Sequence, residues 1–183
     1  MHFTLSDLVT DISQNACEAG AKMVELEVKE SGSEFRFTIK DDGKGMSKEE
    51  LGLAIDPFVT DGIKHPHRKV GLGIPFLIQT AEQSGGGWDV KSEKGKGTVT
   101  TAWFDTANVD TPPVGDLAGM FRTVLLFEGE QNVCIRRVFE KENTPSLEYE
   151  VSKSDLAEAL GNLEDAGSLA LLDKYLRSLE EEE

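Results

Sequence analysis

Near the start of the chain, apolar residues recur at spacings of three and four, which predicts a helix over residues 4–20 with one apolar face. These residues are Leu5, Leu8, Val9, Ile12, Ala16 and Ala19. Apolar and polar positions then alternate over residues 24–28 and 35–39, on either side of a Ser-Gly-Ser turn. This alternation predicts a hairpin of two half-buried strands.

Helical signals return after the hairpin. Ser47 and Glu50 stand at the spacing of a capping box and predict a short helix through Ile55. Residues 56–70 lack periodicity and contain proline and glycine, which predicts a surface loop. Its cationic residues are Lys64, Arg68 and Lys69. A third helix is predicted over residues 74–83, because helical periodicity resumes there and a run of glycines follows it.

Two further alternating stretches, residues 88–93 and 98–104, predict a second hairpin. The order of elements predicts the α/β class, as an α+β two-layer sandwich over residues 1–105, with a mixed sheet and its helices on one face. Residues 106–115 contain two adjacent prolines and predict a linker. Residues 116–183 predict a small α+β C-terminal module. Its predicted elements are strands over residues 124–127, 133–139 and 147–151 and helices over residues 155–160 and 169–179.

The net charge narrows the classes of partner. The chain has a formal charge of -15, and residues 106–183 hold 17 of the 34 acidic side chains but only 7 of the 19 basic ones. This acidity repels nucleic acid and anionic membranes, so we expect neither as a partner. No apolar run approaches the roughly 18 residues that a membrane span needs, and no signal peptide is recognisable, so we expect a cytoplasmic protein.

The cysteines and histidines offer little chemistry. Cys17 and Cys134 lie in apolar patterns without the spacing of a redox motif, which predicts buried thiols. His65 and His67 flank a proline, but no third metal ligand stands at a suitable spacing, so we predict no metal site there.

The segment that follows the second predicted strand carries a binding signal. Asp41 can accept a hydrogen bond from an exocyclic amine, while Gly43 and Gly45 let the backbone approach a flat base without a Cβ in the way. These residues alone are more typical of an ordinary turn after a strand. In combination with the segments on either side, they predict an adenine site.

Those neighbouring segments suit a triphosphate. Asp11, Asn15 and Glu18 project from one face of the first predicted helix, where an amide oxygen can ligate Mg²⁺ and a carboxylate can activate water. Gly71 and Gly73 precede the third predicted helix, whose first N–H groups suit phosphate oxygens. Each feature has an alternative explanation, as a polar helix stripe or as a glycine turn.

In combination, these segments resemble the Bergerat ATP-binding fold of the GHKL superfamily, which includes DNA gyrase, the large heat-shock chaperones, sensor histidine kinases and MutL. The resemblance covers about residues 1–105 and rests on four motifs in the family order: DISQNACEAGA, IKDDGKGM, VGLGI and Gly97-Thr98. It implies ATP and Mg²⁺ as cofactors, with Asn15 as the metal ligand and Asp11 as the general base. The nucleotide-binding residues that it implies are Asn15, Glu18, Asp41, Gly43, Gly45, Met46, Phe58, Thr60, Lys69, Gly71, Leu72, Gly73, Ile74 and Thr98.

Two departures from the family pattern bear on activity. Asp11 is one methylene shorter than the glutamate usual there, and a misplacement of about 1 Å can cost on the order of a hundredfold in rate. We therefore expect slow hydrolysis or none. Lys69-Val70 stands where the family often has a further glycine, so we expect the lid to close differently.

The family leaves three functions open. The first is a signalling protein, related to histidine kinases and anti-sigma serine kinases, that transfers phosphate to a separate protein. We expect the acceptor on another protein, because the pattern predicts no histidine-bearing helical element before the first helix. The second is a non-catalytic ATP sensor whose lid order controls docking of a partner. The third is a slow ATPase of the gyrase or MutL type. The C-terminal module fits a docking or homodimerisation role, or a packed extension of the same domain.

Overall fold

The computed structural model describes residues 3–56, 73–141 and 147–181. In this part of the chain, helices and strands follow one another as one mixed sheet with helices packed against it. The helices are α1 (Leu5–Glu18), α2 (Lys48–Ile55), α3 (Gly73–Gln83), α4 (Leu117–Leu125), α5 (Lys153–Leu160) and α6 (Ala166–Glu180). The strands are β1 (Met23–Ser31), β2 (Glu34–Asp41), β3 (Gly87–Glu93), β4 (Gly97–Asp105), β5 (Asn132–Glu140) and β6 (Leu147–Ser152).

The sheet has the strand order β3-β4-β2-β1-β5-β6. Both predicted hairpins are confirmed, as the antiparallel pairs of β1 with β2 and of β3 with β4. The one parallel pair in this sheet is β1 with β5, in which Val24 faces Val133 and Leu26 faces Ile135. The linker predicted at residues 106–115 thus lies in the sequence between β1 and β5, which are hydrogen-bonded neighbours in one sheet.

One face of the sheet is buried and the other is polar. Alternate residues of β1 and β2, such as Val28 and Phe37, are fully buried beneath the helices, whereas their sequence neighbours point the other way and carry charges. Alternation of this kind is typical of a sheet with one covered face. The α+β two-layer architecture predicted from the sequence is confirmed.

The strand predicted over residues 124–127 is wrong, because this segment ends a helix. Asp116 caps α4 by accepting a hydrogen bond from the Gly119 N–H at 3.0 Å. The apolar residues of α4 stand at helical spacing from its first turn onward, and they are buried against α1 and α6. They are Leu117, Met120, Phe121, Val124 and Leu125. A four-residue window at the end of this pattern has the composition of a strand, which misled the sequence interpretation.

A buried cation joins α6 to the sheet. The side chain of Arg137 on β5 is only 3 % exposed, and its guanidinium donates to Glu30 at 2.7 Å and to Glu180 at 3.4 Å. Tyr149 on β6 also donates a hydrogen bond to Glu180. The last turn of α6 is therefore held on the sheet by an ion pair with Arg137 of β5 and by a hydrogen bond from Tyr149 of β6.

Neither cysteine is bonded to another, and both are half-buried, although the sequence predicted buried thiols. Partial burial raises the pKa of the Cys17 thiol and that of the Cys134 thiol. Among the described residues, no helix is long and apolar enough to cross a membrane.

Candidate adenine nucleotide site

Helix α1 begins with a complete capping box. Thr4 accepts a hydrogen bond from the Asp7 N–H at 3.2 Å, and the Asp7 carboxylate accepts one from the Thr4 N–H at 2.8 Å. The apolar residues of α1 are buried, which turns Asp11, Asn15 and Glu18 outward as an exposed row. The cap and the core thus fix the direction in which the predicted site residues project.

The start of α3 lies beside this row. A Cβ placed on Gly73 would be 3.5 Å from Asn15 Nδ2 and 3.9 Å from the Cβ of Asp11. Ile74, the next residue, packs against the hydrophobic core. The structure therefore brings Asp11, Asn15 and Gly73 together beside the second half of α1.

The pKa of the Asp11 carboxyl is shifted by its surroundings. Burial raises the pKa of its carboxyl above the ordinary value, and the charge of Asp7 raises it further. Within the described residues, no hydrogen bond or ion pair orients this carboxylate. Its side chain is a slightly stronger base than a free aspartate.

Asp41 lies at the end of β2 and is only 7 % exposed. Its Oδ1 accepts a hydrogen bond from the Gly43 N–H at 2.9 Å. Burial raises the pKa of the Asp41 carboxyl, although the backbone N–H groups of Gly43 and Thr98 act in the opposite direction. A nearly buried carboxylate at the end of a strand is a strong and directional acceptor for a donor that enters the site.

The loop after Asp41 is fixed from two sides. The Lys44 N–H donates to the carbonyl of Ala19 at the end of α1, at 3.0 Å. The Lys44 carbonyl accepts from the Gly95 N–H in the turn between β3 and β4, at 2.7 Å. This loop is therefore held in place by elements that are far apart in sequence.

Two glycines allow these close contacts. Gly45 has a φ of +59°, and a Cβ there would collide with the carbonyl oxygen of Glu93. Gly97 has a φ of +100°, and a Cβ there would collide with the carbonyl oxygen of Asp41. Both positions require glycine for conformation and for space.

Two residues of this region were missed by sequence reasoning. The first is Asp42, whose Oδ1 accepts from the N–H groups of Lys22 and Met23 at 2.7 and 2.9 Å. These N–H groups, Met23 first, hold the pKa of Asp42 below its ordinary value. Asp42 thus joins the loop to the start of β1 and has a different task from Asp41.

The second missed residue is Ser92 on β3. Its Oγ accepts from the Met46 N–H at 2.8 Å and lies 2.8 Å from Thr98 Oγ1. The sequence signal for Ser92 is weak, because its position opposite Thr98 depends on the register of the β3–β4 hairpin.

Helix α1 connects the two halves of the site. Gly43 packs against Ala19 at the end of α1, and Gly73 packs beside Asp11 and Asn15 one to two turns earlier. Asp11 and Ala19 are separated by about 12 Å of helix axis. Five predicted residues, Phe58, Thr60, Lys69, Gly71 and Leu72, lie outside the described residues, as do Lys64, His65, His67 and Arg68.

The residues present fit an adenine nucleotide. The buried Asp41 acceptor beside a glycine loop suits an exocyclic amine, and the exposed Asn15 amide beside the first turn of α3 suits a metal ion that is shared with phosphates.

Comparison with known proteins is consistent with this geometry. The sequence profile of the family described as histidine kinase-, DNA gyrase B-, and HSP90-like ATPase matches residues 3–108. DNA mismatch repair protein MutL of Thermus aquaticus is 39% identical over 71 residues, which are 39% of this chain and 13% of MutL. Sensor histidine kinase ZraS of Salmonella typhimurium is 33% identical over 106 residues, which are 55% of this chain and 21% of ZraS. The chain thus spans less than a quarter of the length of these relatives.

Among solved structures, the N-terminal domain of a DNA repair protein superposes with a TM-score of 0.55 at 11% identity. The superposition covers 91% of this chain and 58% of that structure. It supports the fold and extends beyond the segment that the family profile matches.

Proposed function

Because the chain belongs to the family of histidine kinase-, DNA gyrase B- and HSP90-like ATPases, we propose that it binds Mg-ATP and transfers phosphate to a separate protein. The observation that carries the binding proposal is the position of Asp41, nearly buried beside the Gly43–Gly45 loop. The transfer proposal is supported by the similarity to ZraS, which is a sensor histidine kinase.

In this proposal, Asp41 accepts a hydrogen bond from the adenine amino group, and Gly43, Gly45 and Met46 line the base. Selection of adenine then follows from charge. A carboxylate attracts the exocyclic amine of adenine and repels the carbonyl oxygen that guanine carries at the same place. Thr98, whose backbone N–H lies against Asp41, adds a hydroxyl on the same side.

One to two turns before the end of α1, Asn15 would hold Mg²⁺, and Gly73 and Ile74 would present N–H groups of α3 to the phosphates. The bound ion supplies neutralisation of phosphate charge. Asp11 would accept a proton from an attacking hydroxyl or water, and its raised pKa supports that role. Positioning and charge are the main contributions that a protein makes to phosphoryl transfer.

Calorimetry with Asp41→Asn tests the binding proposal. Loss of one charge-assisted hydrogen bond costs roughly 1.5 to 3 kcal/mol, so the affinity for Mg-ATP should fall at least tenfold. Asp42→Asn is the matched control, because Asp42 is the adjacent aspartate and faces the backbone of β1. Equal affinities for Asp41→Asn and the unchanged chain would refute the proposed base contact.

The second candidate function, a non-catalytic ATP sensor, is favoured by Asp11. Its side chain is shorter than glutamate, and within the described residues nothing orients its carboxylate. Asp11→Glu restores the missing methylene and should raise ATP turnover if reach limits the reaction. Unchanged turnover in that variant would exclude reach as the cause.

Labelled ATP distinguishes the candidates. After incubation with the purified chain and a cell lysate, label on a second protein supports phosphate transfer, whereas tight binding without transfer or hydrolysis supports the sensor. Release of labelled phosphate without a labelled protein would instead support an ATPase of the MutL type.

A further inference from the structure

We propose that Ser92 is a positioning residue of the nucleotide site, which orients the Thr98 hydroxyl toward the base edge next to the amine held by Asp41. The inference rests on the proposed adenine binding and adds a residue that acts through Thr98.

The first support is register. Ser92 pairs with Thr98 across β3 and β4, and Thr98 pairs with Asp41 across β4 and β2. Directly paired residues of antiparallel strands lie on the same face of a sheet. Ser92, Thr98 and Asp41 therefore form one polar row at the end of the covered face, next to the buried pair of Ile39 and Thr100.

The second support is that the Ser92 hydroxyl has only one proton to donate. Its Oγ accepts from the Met46 N–H at 2.8 Å, and its single proton has two possible acceptors: Thr98 Oγ1 at 2.8 Å and the Gly97 carbonyl at 3.1 Å. A serine hydroxyl has only one donor. When Ser92 donates to Thr98, the Thr98 proton is left to point into the site; when Ser92 donates to Gly97, Thr98 donates back to Ser92.

In the first arrangement the Thr98 hydroxyl can donate a hydrogen bond to a ligand, whereas in the second it can only accept one. Adenine places a ring nitrogen acceptor, N1, beside its amine, so it pairs with Asp41 as acceptor and Thr98 as donor, directly or through one water. Donation from Ser92 to Thr98 therefore favours adenine. The Met46 N–H, held by the same Ser92 oxygen, keeps the base-lining loop at a fixed distance from this pair.

The test is a double-mutant cycle read with two nucleotides. Ser92→Ala should weaken ATP binding about tenfold, from the loss of one oriented hydrogen bond. It should weaken binding of 1-deaza-ATP, which has C–H in place of N1, much less. Thr98→Val should behave in the same way, and the effects of the two substitutions on ATP affinity should not add.

Other outcomes overturn the inference. A purely structural role would lower the affinities for ATP and 1-deaza-ATP by the same factor, and independent roles would give additive losses. If Ser92→Ala does not fold, the ratio of ATP to 1-deaza-ATP affinity in Thr98→Val against Thr98→Ser decides, because serine keeps the hydroxyl that Ser92 contacts. Failure of the unchanged chain to bind ATP would reject the proposed function itself, whereas ATP binding that depends on Asp41 but not on Ser92 would reject only this inference.

Discussion

The adjacent residues Asp41 and Asp42 have pKa values that are shifted in opposite directions in the folded protein. Burial raises the pKa of Asp41, whereas backbone N–H groups of Met23 and Lys22 lower that of Asp42. The first effect opposes folding with Asp41 ionised, and the second favours folding with Asp42 ionised. Asp41 is thus kept at a cost in stability, as is common for residues that bind a ligand.

These shifts predict opposite pH dependences. Asp41→Asn should be more stable than the unchanged chain near neutral pH, and this advantage should disappear as the pH falls from the raised pKa of Asp41 to the ordinary aspartate pKa. Asp42→Asn should be less stable near neutral pH, and its deficit should disappear as the pH falls through the ordinary aspartate pKa to the lowered one. Urea denaturation at a series of pH values measures both, and parallel curves for the two variants would contradict the assignment.

A buried serine gives a second prediction at this scale. Ser13 is fully buried, and its Oγ has no hydrogen-bond partner within the described residues. Ser13→Ala should therefore leave the free energy of unfolding unchanged or raise it by about 1 kcal/mol. Ser84 is the matched control, because it is equally buried but donates to the Ala81 carbonyl at 2.8 Å.

Ser84→Ala should lower the free energy of unfolding by about 0.5 to 1.5 kcal/mol. Thermal or urea unfolding compares the two variants, and a larger loss in Ser13→Ala than in Ser84→Ala would show that Ser13 has a partner.

Residue types and spacing predicted Asp41, Gly43 and Asn15 as a set, because each belongs to a local motif. They did not predict Asp42 or Ser92. Each of these acts on backbone or side chains brought close by strand pairing, and a sequence pattern does not contain that register.

At the scale of elements, the capping box of α1 holds the row of Asp11 and Asn15 in place. Thr4→Ala should lower the free energy of unfolding by about 1 kcal/mol, because an N–H in the first turn loses its acceptor. Thr10→Ala on the same helix is the control. Within the described residues, the Thr10 hydroxyl donates only to the Ser6 carbonyl, so its replacement should be close to neutral. Chemical denaturation of both variants checks the contrast, and equal losses would mean that the cap contributes little.

The helices and strands of residues 1–105 are predictable from sequence because their periodic patterns of apolar residues continue over most of each element. The strand prediction over residues 124–127 is wrong because these residues are the end of a longer helical pattern, and a short apolar run does not distinguish a helix from a strand. The complete pattern from Leu117 to Leu125 carries the helical signal.

At the scale of the whole molecule, the sheet does not stop where the family profile ends. Strand β5 lies along the full length of β1, and residues from α4 and α6 complete the core beneath it. This parallel pairing joins positions more than 100 residues apart, and no local pattern specifies it.

A chain cut after residue 108 should therefore fold poorly. It would expose the edge of β1, which pairs with β5, and the apolar face of α1 that packs against α4. We expect no cooperative thermal transition and no binding of Mg-ATP, as measured by calorimetry. A chain cut after residue 181 is the control and should behave like the complete sequence. Cooperative unfolding of the shorter fragment would show that its core is sufficient.

The ion pairs of Arg137 also predict how the positions involved should vary among related proteins. Arg137 is shared between Glu30 and Glu180, and Glu180 keeps the Tyr149 hydroxyl as a donor if the guanidinium is lost. Across descendants of a common ancestor, replacement of the arginine by an apolar residue should therefore be accompanied first by replacement of the acid at position 30. Positions 30 and 137 should therefore change together, although they are far apart in the sequence, whereas position 180 can keep its acid.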